Sequence, residues 1–166
     1  IDRMKPEKAH MATNGFEVLE IGSNDGTLAR VLASRGHFFV EGWDPSGPEL
    51  VERGVALIPR PFSMAVAERK TPDKFDVIVA LNVLAHIDDL HDVFAGIAHC
   101  LAPDGLFVME VGDWRAVSSK GLFDVIYHEH LSYHTPESIR MLCDAHGLTV
   151  ERFETNESQG GTIRAW

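Results

Sequence analysis

The stretch FEVLEIGSNDGTLARVLASRG, residues 16–36, decides the fold. It begins with a short β-rich run at residues 16–21 and turns at two glycines, Gly22 and Gly26. Residues 27–34 then have the apolar spacing of a helix, and Gly36 is a typical helix stop. A strand that leads through a glycine turn into a helix is the opening unit of an α/β sheet.

The same alternation continues along the chain. Further strands are predicted at residues 37–43, 55–58, 75–81, 106–111, 148–153 and 162–166, and further helices at residues 48–53, 90–101 and 135–147. The pattern predicts a doubly wound α/β fold with a seven-stranded, mostly parallel sheet and helices on both faces. The link between the last two strands is too short for a parallel crossover, so an antiparallel strand is predicted at the C-terminal end.

Composition limits the class of function. The chain has 166 residues, with 15 Lys plus Arg against 25 Asp plus Glu, and we predict one domain at residues 15–166 after a polar lead-in at residues 1–14. The acidic excess disfavours nucleic acid as a partner, and no apolar run is long enough to span a membrane. Cys100 and Cys143 lie in apolar, helix-like contexts typical of buried thiols in a reducing compartment. These features predict a cytoplasmic protein that acts on a small molecule.

The chemistry of the glycine turn favours a nucleoside with a positive centre. Glu20 and Asp25 flank the turn and would repel a pyrophosphate, and the spacing of its glycines differs from the dinucleotide fingerprint. Asp44 ends the second predicted strand, where a carboxylate typically accepts hydrogen bonds from ribose hydroxyls. The plainer alternative is that the glycines only form a tight turn and Asp44 only caps a helix.

Other candidate ligand residues follow the remaining strands. Open α/β sheets bind ligands at the carboxyl ends of their strands, where Asn82 and Glu110 are found. Phe62 and Ser63 follow the third strand and could flank a purine ring, although Phe62 is equally suited to the core.

The run Tyr127-His128-Glu129-His130 concentrates ionisable groups in one loop. Histidine can take up a proton near neutral pH, a carboxylate can fix its tautomer, and a tyrosine hydroxyl can donate to an enolate oxygen. If the segment is extended, His128 and His130 share a face. No metal is predicted, because neither cysteines nor paired carboxylates complete a ligand set with these histidines and His134 or His86. A surface cluster of histidines is the plainer alternative.

Six runs of sequence together resemble a known family. They are VLEIGSNDGTL (residues 18–28), WDPS (43–46), ALNVLAHIDDL (80–90), LAPDGLFVMEV (101–111), FDVIYHEHLSY (123–133) and GGTIRAW (160–166). In this order they resemble the class I S-adenosylmethionine-dependent C-methyltransferases that act on deoxysugar nucleotides and related ketones. The run around residues 123–133 is the specific element.

The resemblance implies the Rossmann-like class I methyltransferase fold, with S-adenosyl-L-methionine as cofactor. It implies a substrate pocket formed by Tyr127, Glu129, His130 and His86, with His130 as the general base. With the strand-end residues included, the expected cofactor-binding residues are Glu20, Gly22, Ser23, Asn24, Gly26, Asp44, Pro45, Phe62, Ser63 and Asn82.

The expected reaction is C-methylation of a small ketone or nucleotide sugar. His130 would remove a proton beside the carbonyl, and the resulting enolate carbon would take the methyl group. The alternatives are an O- or N-methyltransferase of a small metabolite, or a cofactor-binding module without turnover. Family members usually carry a cysteine-rich zinc-binding segment before this domain and another α/β domain after it, so we expect the chain to belong to a larger protein.

Overall fold

The computed structural model describes residues 15–69 and 75–166, so the predicted lead-in at residues 1–14 lies outside the described residues. The strands are β1 Phe16–Ile21, β2 Phe38–Trp43, β3 Leu50–Glu52, β4 Val55–Ile58, β5 Phe75–Leu81, β6 Leu101–Gly112, β7 Phe153–Asn156 and β8 Thr162–Ala165. They form one sheet in the order β3-β4-β2-β1-β5-β6-β8-β7. The pairs along β4, β2, β1, β5 and β6 are all parallel.

Five α-helices accompany the sheet in the described part of the chain. They are α1 Thr27–Ala33, α2 Met64–Ala67, α3 Leu90–Cys100, α4 Trp114–Lys120 and α5 Pro136–Ala145. The start of α5 follows the prediction, since the Thr135 hydroxyl accepts a hydrogen bond from the Ser138 amide and Pro136 opens the helix. The sequence analysis did not identify α2 or α4. Of the helices in residues 15–69 and 75–166, none is long and apolar enough to cross a membrane.

Alternate residues of β1 enter two different cores. Val18 packs in a cluster with Leu32 of α1, whereas Leu19 packs in a cluster with Phe94 and Ile97 of α3. Helices therefore cover both faces of the sheet, as the alternation of strands and helices in the sequence predicted. Cys100 and Cys143 are both buried, as predicted, and neither is joined in a disulfide within the residues that the structure describes.

The C-terminal strands confirm the predicted reversal and correct one boundary. Strand β8 lies between β6 and β7 and is antiparallel to both. The strand predicted at residues 148–153 instead begins at Phe153. Leu148 and Val150 contribute their side chains to the core while the chain approaches the sheet, and regular pairing begins only where Phe153 faces Ala165.

The prediction of a helix at residues 48–53 is wrong, because this segment forms the strand β3. Leu50–Glu52 pairs antiparallel with β4, and Gly54 turns the chain with a backbone φ of 78°. Pro48 and Gly54 are a typical helix start and stop, but the same residues also bracket a short hairpin strand. This edge strand brings the sheet to eight strands rather than the seven predicted.

Candidate active site

An open cleft of about 940 Å³ lies at the carboxyl ends of β1, β2 and β5. This is the edge at which parallel sheets bind ligands. The lining residues come from the glycine turn, the segment after β2, the segment before α2, the loop after β5 and the segment between α4 and α5. They include Gly22, Asn24, Asp44, Pro45, Phe62, Asn82, His86 and Glu129. Six of the ten predicted cofactor-binding residues therefore border one cleft.

Asp44 joins the glycine turn to the end of β2. Its Oδ2 accepts a hydrogen bond from the Asn24 amide at 3.0 Å, and its Oδ1 accepts one from the Ser46 amide at 2.8 Å. The Trp43 carbonyl accepts a further bond from the Gly22 amide at 2.8 Å. Each oxygen of the Asp44 carboxylate has further acceptor capacity, so the fixed side chain can receive a pair of ribose hydroxyls.

The glycines of the turn are required by the backbone. Gly22 has a φ of 78°, and a Cβ there would lie 2.6 Å from the Cβ of Val83. Gly26 precedes α1 in the left-handed conformation, and a Cβ there would meet Leu57 at 2.5 Å. Gly26 is not among the residues that line the cleft, so its part is to shape the turn.

Glu20 lies buried behind the turn rather than on the cleft wall. The Oε2 atom of its side chain is buried and has no hydrogen-bond partner among the residues that the structure describes. Burial raises the pKa of Glu20 to about 7, a hydrogen bond from the Ala29 backbone opposes the rise, and the charges of Asp25 and Asp44 add to it. A positively charged ligand nearby would favour the ionised form of this carboxyl group.

Two predicted cofactor residues instead serve the local structure. Ser23 is buried and does not line the cleft. The Ser63 hydroxyl caps α2 by accepting a hydrogen bond from the Val66 amide at 3.3 Å. Phe62 is buried edge-on against Trp43, as a core residue would be, and it also borders the cleft.

The negative charge of the cleft favours a positively charged ligand. Its described lining residues include the carboxylates of Asp44, Asp88 and Glu129 but no lysine or arginine. Such a wall suits a cationic ligand with hydroxyl groups and disfavours a pyrophosphate. Asp44, the buried Glu20 and this wall together fit S-adenosylmethionine, whose sulfonium and amino groups carry positive charge.

A second cavity of about 380 Å³, here called the acceptor pocket, adjoins the cleft. Asn82 and His86 line both cavities, so the two meet at these side chains. Asn82 has a backbone φ of 54°, and its backbone amide donates a hydrogen bond to the Glu110 carbonyl at 2.8 Å. The acceptor pocket is lined by Asn82, Ala85, His86, Val111, Gly112, Trp114, Val117, Asp124, Val125, Tyr127, His130, Ser132, Tyr133, His134 and Gln159. Two cavities that share a wall suit a reaction in which a group passes between two ligands.

The segment that contains Tyr127 and His130 is bent. The His130 amide donates to the Tyr127 carbonyl at 3.0 Å, and the two rings lie 4.4 Å apart between centroids. Tyr127 and His130 both line the acceptor pocket, Glu129 lines the cleft, and His128 lines neither. The segment is therefore not extended, and the shared face of His128 and His130 that an extended segment would give does not form, because the turn breaks the alternation.

A backbone carbonyl fixes the tautomer of His130. Its Nδ1 lies 2.8 Å from the Val125 carbonyl oxygen, which can only accept a hydrogen bond. The hydrogen of the neutral ring is therefore on Nδ1, and Nε2 keeps a lone pair that can accept a proton. The ring of His86 packs edge-on at 4.9 Å between centroids. The arrangement can perform general base chemistry at the boundary of the two cavities.

Several pocket residues escaped the sequence analysis. Trp114 and Tyr133 pack together at 5.1 Å between ring centroids and form an aromatic wall. Trp114 follows the carboxyl end of β6, so the strand-end rule could have found it, whereas no sequence signal pointed to Tyr133. Buried His134, whose pKa is lowered by burial, has its Nε2 2.9 Å from the Ser132 hydroxyl.

One strand-end residue has a structural part. Glu110 is buried, and its carboxylate accepts hydrogen bonds from Arg164 on β8. It therefore joins neighbouring strands, and it lines neither cavity.

Within residues 15–69 and 75–166, no group of three or more histidine, cysteine or acidic side chains is placed to hold a metal ion.

Comparisons with known proteins agree with this geometry. Residues 2–152 match a family described as a methyltransferase domain. C-methyltransferase NovU of Streptomyces niveus is 35% identical over 156 residues, which cover 91% of this chain and 37% of that protein. The ubiquinone biosynthesis O-methyltransferase of Aeromonas salmonicida is 26% identical over 152 residues, which cover 82% of this chain and 64% of that protein. The chain thus spans less than two thirds of either relative.

A solved structure supports the fold. The 1,6-didemethyltoxoflavin-N1-methyltransferase of Burkholderia thailandensis, solved with bound 1,6-didemethyltoxoflavin and S-adenosylhomocysteine, superposes with a TM-score of 0.64 at 20% identity. The match covers 95% of this chain and 72% of that one. Together with the acidic cleft, the family match over most of the chain shows that this protein belongs to the class I S-adenosylmethionine-dependent methyltransferases.

Proposed function

We propose that the chain methylates a carbon next to a ketone carbonyl in a small metabolite. The observation that carries the proposal is the state of His130 in the pocket that adjoins the cofactor cleft. Its Nδ1 is held by the Val125 carbonyl, and its Nε2 has no hydrogen-bond partner within residues 15–69 and 75–166. Carbon becomes a nucleophile only after an α-proton is removed, and a neutral imidazole with an available lone pair is suited to that step.

The chain supplies the binding site for S-adenosylmethionine through its acidic cleft. The fixed Asp44 carboxylate would accept hydrogen bonds from the ribose hydroxyls, and Phe62 would offer an apolar surface to the adenine. Glu20 and the cleft carboxylates complement the positive charge. When bound there, the cofactor supplies an electrophilic methyl group, and the electrons of its broken S–CH₃ bond remain on sulfur.

The acceptor pocket supplies the acid–base chemistry. His130 Nε2 takes the proton from the α-carbon, and the electrons of the broken C–H bond form the enolate. The hydroxyl of Tyr127 and the ring of His86, both at the pocket, donate hydrogen bonds to the enolate oxygen. His130 then returns its proton to solvent, which restores the base.

We infer that the ketone is the sugar ring of a keto-deoxysugar nucleotide. The likeness to the C-methyltransferase NovU supports C-methylation, and the aromatic wall of Trp114 and Tyr133 supports a ring-shaped acceptor. The described lining of the pocket holds one carboxylate, Asp124, and no lysine or arginine, so the pocket suits the sugar ring and leaves the diphosphate outside.

Hydrogen exchange tests the proposal. The chain, loaded with S-adenosylhomocysteine in D₂O, is incubated with a nucleoside-diphosphate keto-deoxyhexose, and deuterium at the α-carbon is followed by mass spectrometry. We expect exchange with the unmodified chain and none with His130→Ala, while calorimetry shows S-adenosylhomocysteine bound by both. A parallel incubation with S-adenosylmethionine measures methyl transfer to the same probe, and transfer by a chain that shows no exchange would contradict C-methylation.

O-methylation is the second candidate, favoured by the 26% identity to the ubiquinone biosynthesis O-methyltransferase. His130 could equally deprotonate a hydroxyl group, so the geometry of the base is compatible with both reactions. Fragmentation of the methylated product distinguishes them, because C-methylation leaves the number of free hydroxyl groups unchanged.

A further inference from the structure

Gln159 has an unusual backbone conformation at the edge of the acceptor pocket. Its φ and ψ are 50° and 35°, in the left-handed region that side-chain-bearing residues other than asparagine rarely adopt. Strained residues of this kind persist when the surrounding structure imposes them, and they concentrate at ligand sites.

The surrounding loop imposes this conformation without help from the Gln159 side chain. Lys120 Nζ donates to Glu157 Oε2 at 2.7 Å and to the Gly160 carbonyl at 2.9 Å. The Ser158 amide donates to Asn156 Oδ1 at 2.8 Å. Contacts on both sides thus hold the backbone of Gln159 in place.

The amide group of Gln159 is left available. It has no hydrogen-bond partner within the part of the chain that the structure describes, yet the residue borders the acceptor pocket. Within the described residues, the strained backbone is therefore not accompanied by any hydrogen bond of the Gln159 side chain. An amide that can both donate and accept is well suited to a hydroxyl group of a ligand.

The other pocket walls indicate the kind of ligand. The aromatic rings of Trp114 and Tyr133 offer a flat apolar face, and Asp124 offers a hydrogen-bond acceptor. A hydroxylated ring matches this combination, because its C–H face packs on the aromatic wall while its hydroxyl groups meet polar side chains at the rim.

We propose that Gln159 is an acceptor-specificity residue whose side-chain amide hydrogen-bonds a hydroxyl group on the ring of the acceptor. This rests on the proposed function, since it takes the pocket to be the acceptor site. Gln159 positions the ring so that the α-carbon faces His130, and it takes no part in proton transfer.

Two substitutions separate the contact from the strain. Gln159→Gly removes the amide and relieves the left-handed strain, whereas Gln159→Leu removes the amide and keeps the strain. With a nucleoside-diphosphate keto-deoxyhexose as the probe, we expect both variants to raise KM for the probe about tenfold with little change in kcat. The glycine variant is expected to unfold at a temperature a few degrees higher than the unmodified chain, and the leucine variant is not.

Matched measurements complete the test. Ser158→Ala alters the adjacent exposed side chain, which lines neither cavity, and is expected to leave KM unchanged. The affinity for S-adenosylhomocysteine should be the same in all variants, because Gln159 does not border the cleft. An unchanged KM in Gln159→Leu would overturn the proposal, as would a rise in KM confined to Gln159→Gly, which would indicate loop flexibility alone.

The outcome remains interpretable if the proposed reaction is wrong. If the unmodified chain transfers no methyl group to the probe, the C-methylation proposal fails. Calorimetric binding of the same probe to chain saturated with S-adenosylhomocysteine then tests Gln159 alone. About tenfold weaker binding by Gln159→Leu would support the contact, and equal binding or no binding by either form would overturn it.

Discussion

His130 owes its chemical state to a main-chain atom. The Val125 carbonyl holds Nδ1 at 2.8 Å, so the base is directed by a group that no side-chain substitution removes. The sequence suggested that a neighbouring carboxylate would fix the tautomer, but Glu129 lines the cofactor cleft instead. Loss of the imidazole itself is therefore the direct test of the base.

Replacing His130 with alanine should lower kcat by about 10²- to 10⁴-fold, the usual contribution of a general base. Affinity for S-adenosylhomocysteine, measured by calorimetry, should stay within about twofold because His130 does not line the cofactor cleft. His128→Ala is the matched control, since that histidine lines neither cavity. Equal activity of the two variants would exclude His130 as the base.

Replacing Asp44 with alanine should weaken binding of S-adenosylhomocysteine by tenfold or more, on the order of 1.5–3 kcal/mol for hydrogen bonds to a charged group. The variant also loses the two backbone contacts with Asn24 and Ser46, so Asp44→Asn, which keeps the shape, is measured beside it. Asp25→Asn serves as the control, because Asp25 is bonded to Thr27 outside the cleft. Full affinity in both Asp44 variants would contradict the ribose assignment.

Glu20 should make stability fall as pH rises. Its pKa is raised from 4.5 to about 7 in the folded chain, so between these values the folded state binds more protons than the unfolded state. The free energy of unfolding should therefore fall between about pH 4.5 and 7, by up to about 3 kcal/mol, and level off above. Urea denaturation of Glu20→Gln should lack this part of the decline. A decline of the same size in the variant would show that another group causes it.

At the scale of elements, the turn between β1 and α1 depends on close packing against the loop after β5. Alanine at Gly22 would combine an unfavourable φ of 78° with a Cβ contact of 2.6 Å to Val83. We expect Gly22→Ala to lower the free energy of unfolding by about 2–4 kcal/mol, as measured by urea denaturation. Gly36→Ala is the control, since its φ is 82° but nothing lies within 4 Å, so about 1–2 kcal/mol is expected. Equal losses would show that the Val83 contact is unimportant.

The elements that sequence predicts best are those whose pattern has one interpretation. The boundaries of β1 and β5 match the prediction. Strand β1 is a short β-rich run that lies between Gly15 and Gly22, and β5 is the near-continuous apolar run that a buried parallel strand gives. The prediction for the hairpin strand β3 failed because three residues carry too little periodicity to outweigh the helix signals at Pro48 and Gly54. The start of β7 was predicted too early because Leu148 and Val150 are buried like strand residues, although regular strand pairing starts only at Phe153.

At the scale of the whole molecule, sequence predicted the edge of the sheet at which the candidate site lies, but not how the loops at that edge divide between two cavities. Asp44 and Asn82 follow directly from strand ends. The separation of Glu129 from Tyr127 and His130 depends on a backbone turn that their spacing does not encode. Gln159 reaches the acceptor pocket only through the long-range reversal that places β8 beside β6.

Ligand binding should stabilise the entire fold. S-adenosylhomocysteine at about 100 times its dissociation constant adds about 2.7 kcal/mol to the free energy of unfolding. For a domain of this size the melting temperature should rise by about 5–10 °C in a thermal shift assay. NADH at the same concentration should produce no shift, because its pyrophosphate meets an acidic cleft. A larger shift with NADH would contradict the assignment of the cleft.

The position of β8 gives the chain a demanding order of assembly. Residues 162–165 must insert between β6 and β7, although both partners precede them in synthesis. Until they emerge from the ribosome, β6 exposes an unpaired edge, and such edges template aggregation. Productive folding on the ribosome therefore has to wait for this last strand, and nascent chains stalled shortly before residue 162 are the species most in need of a chaperone.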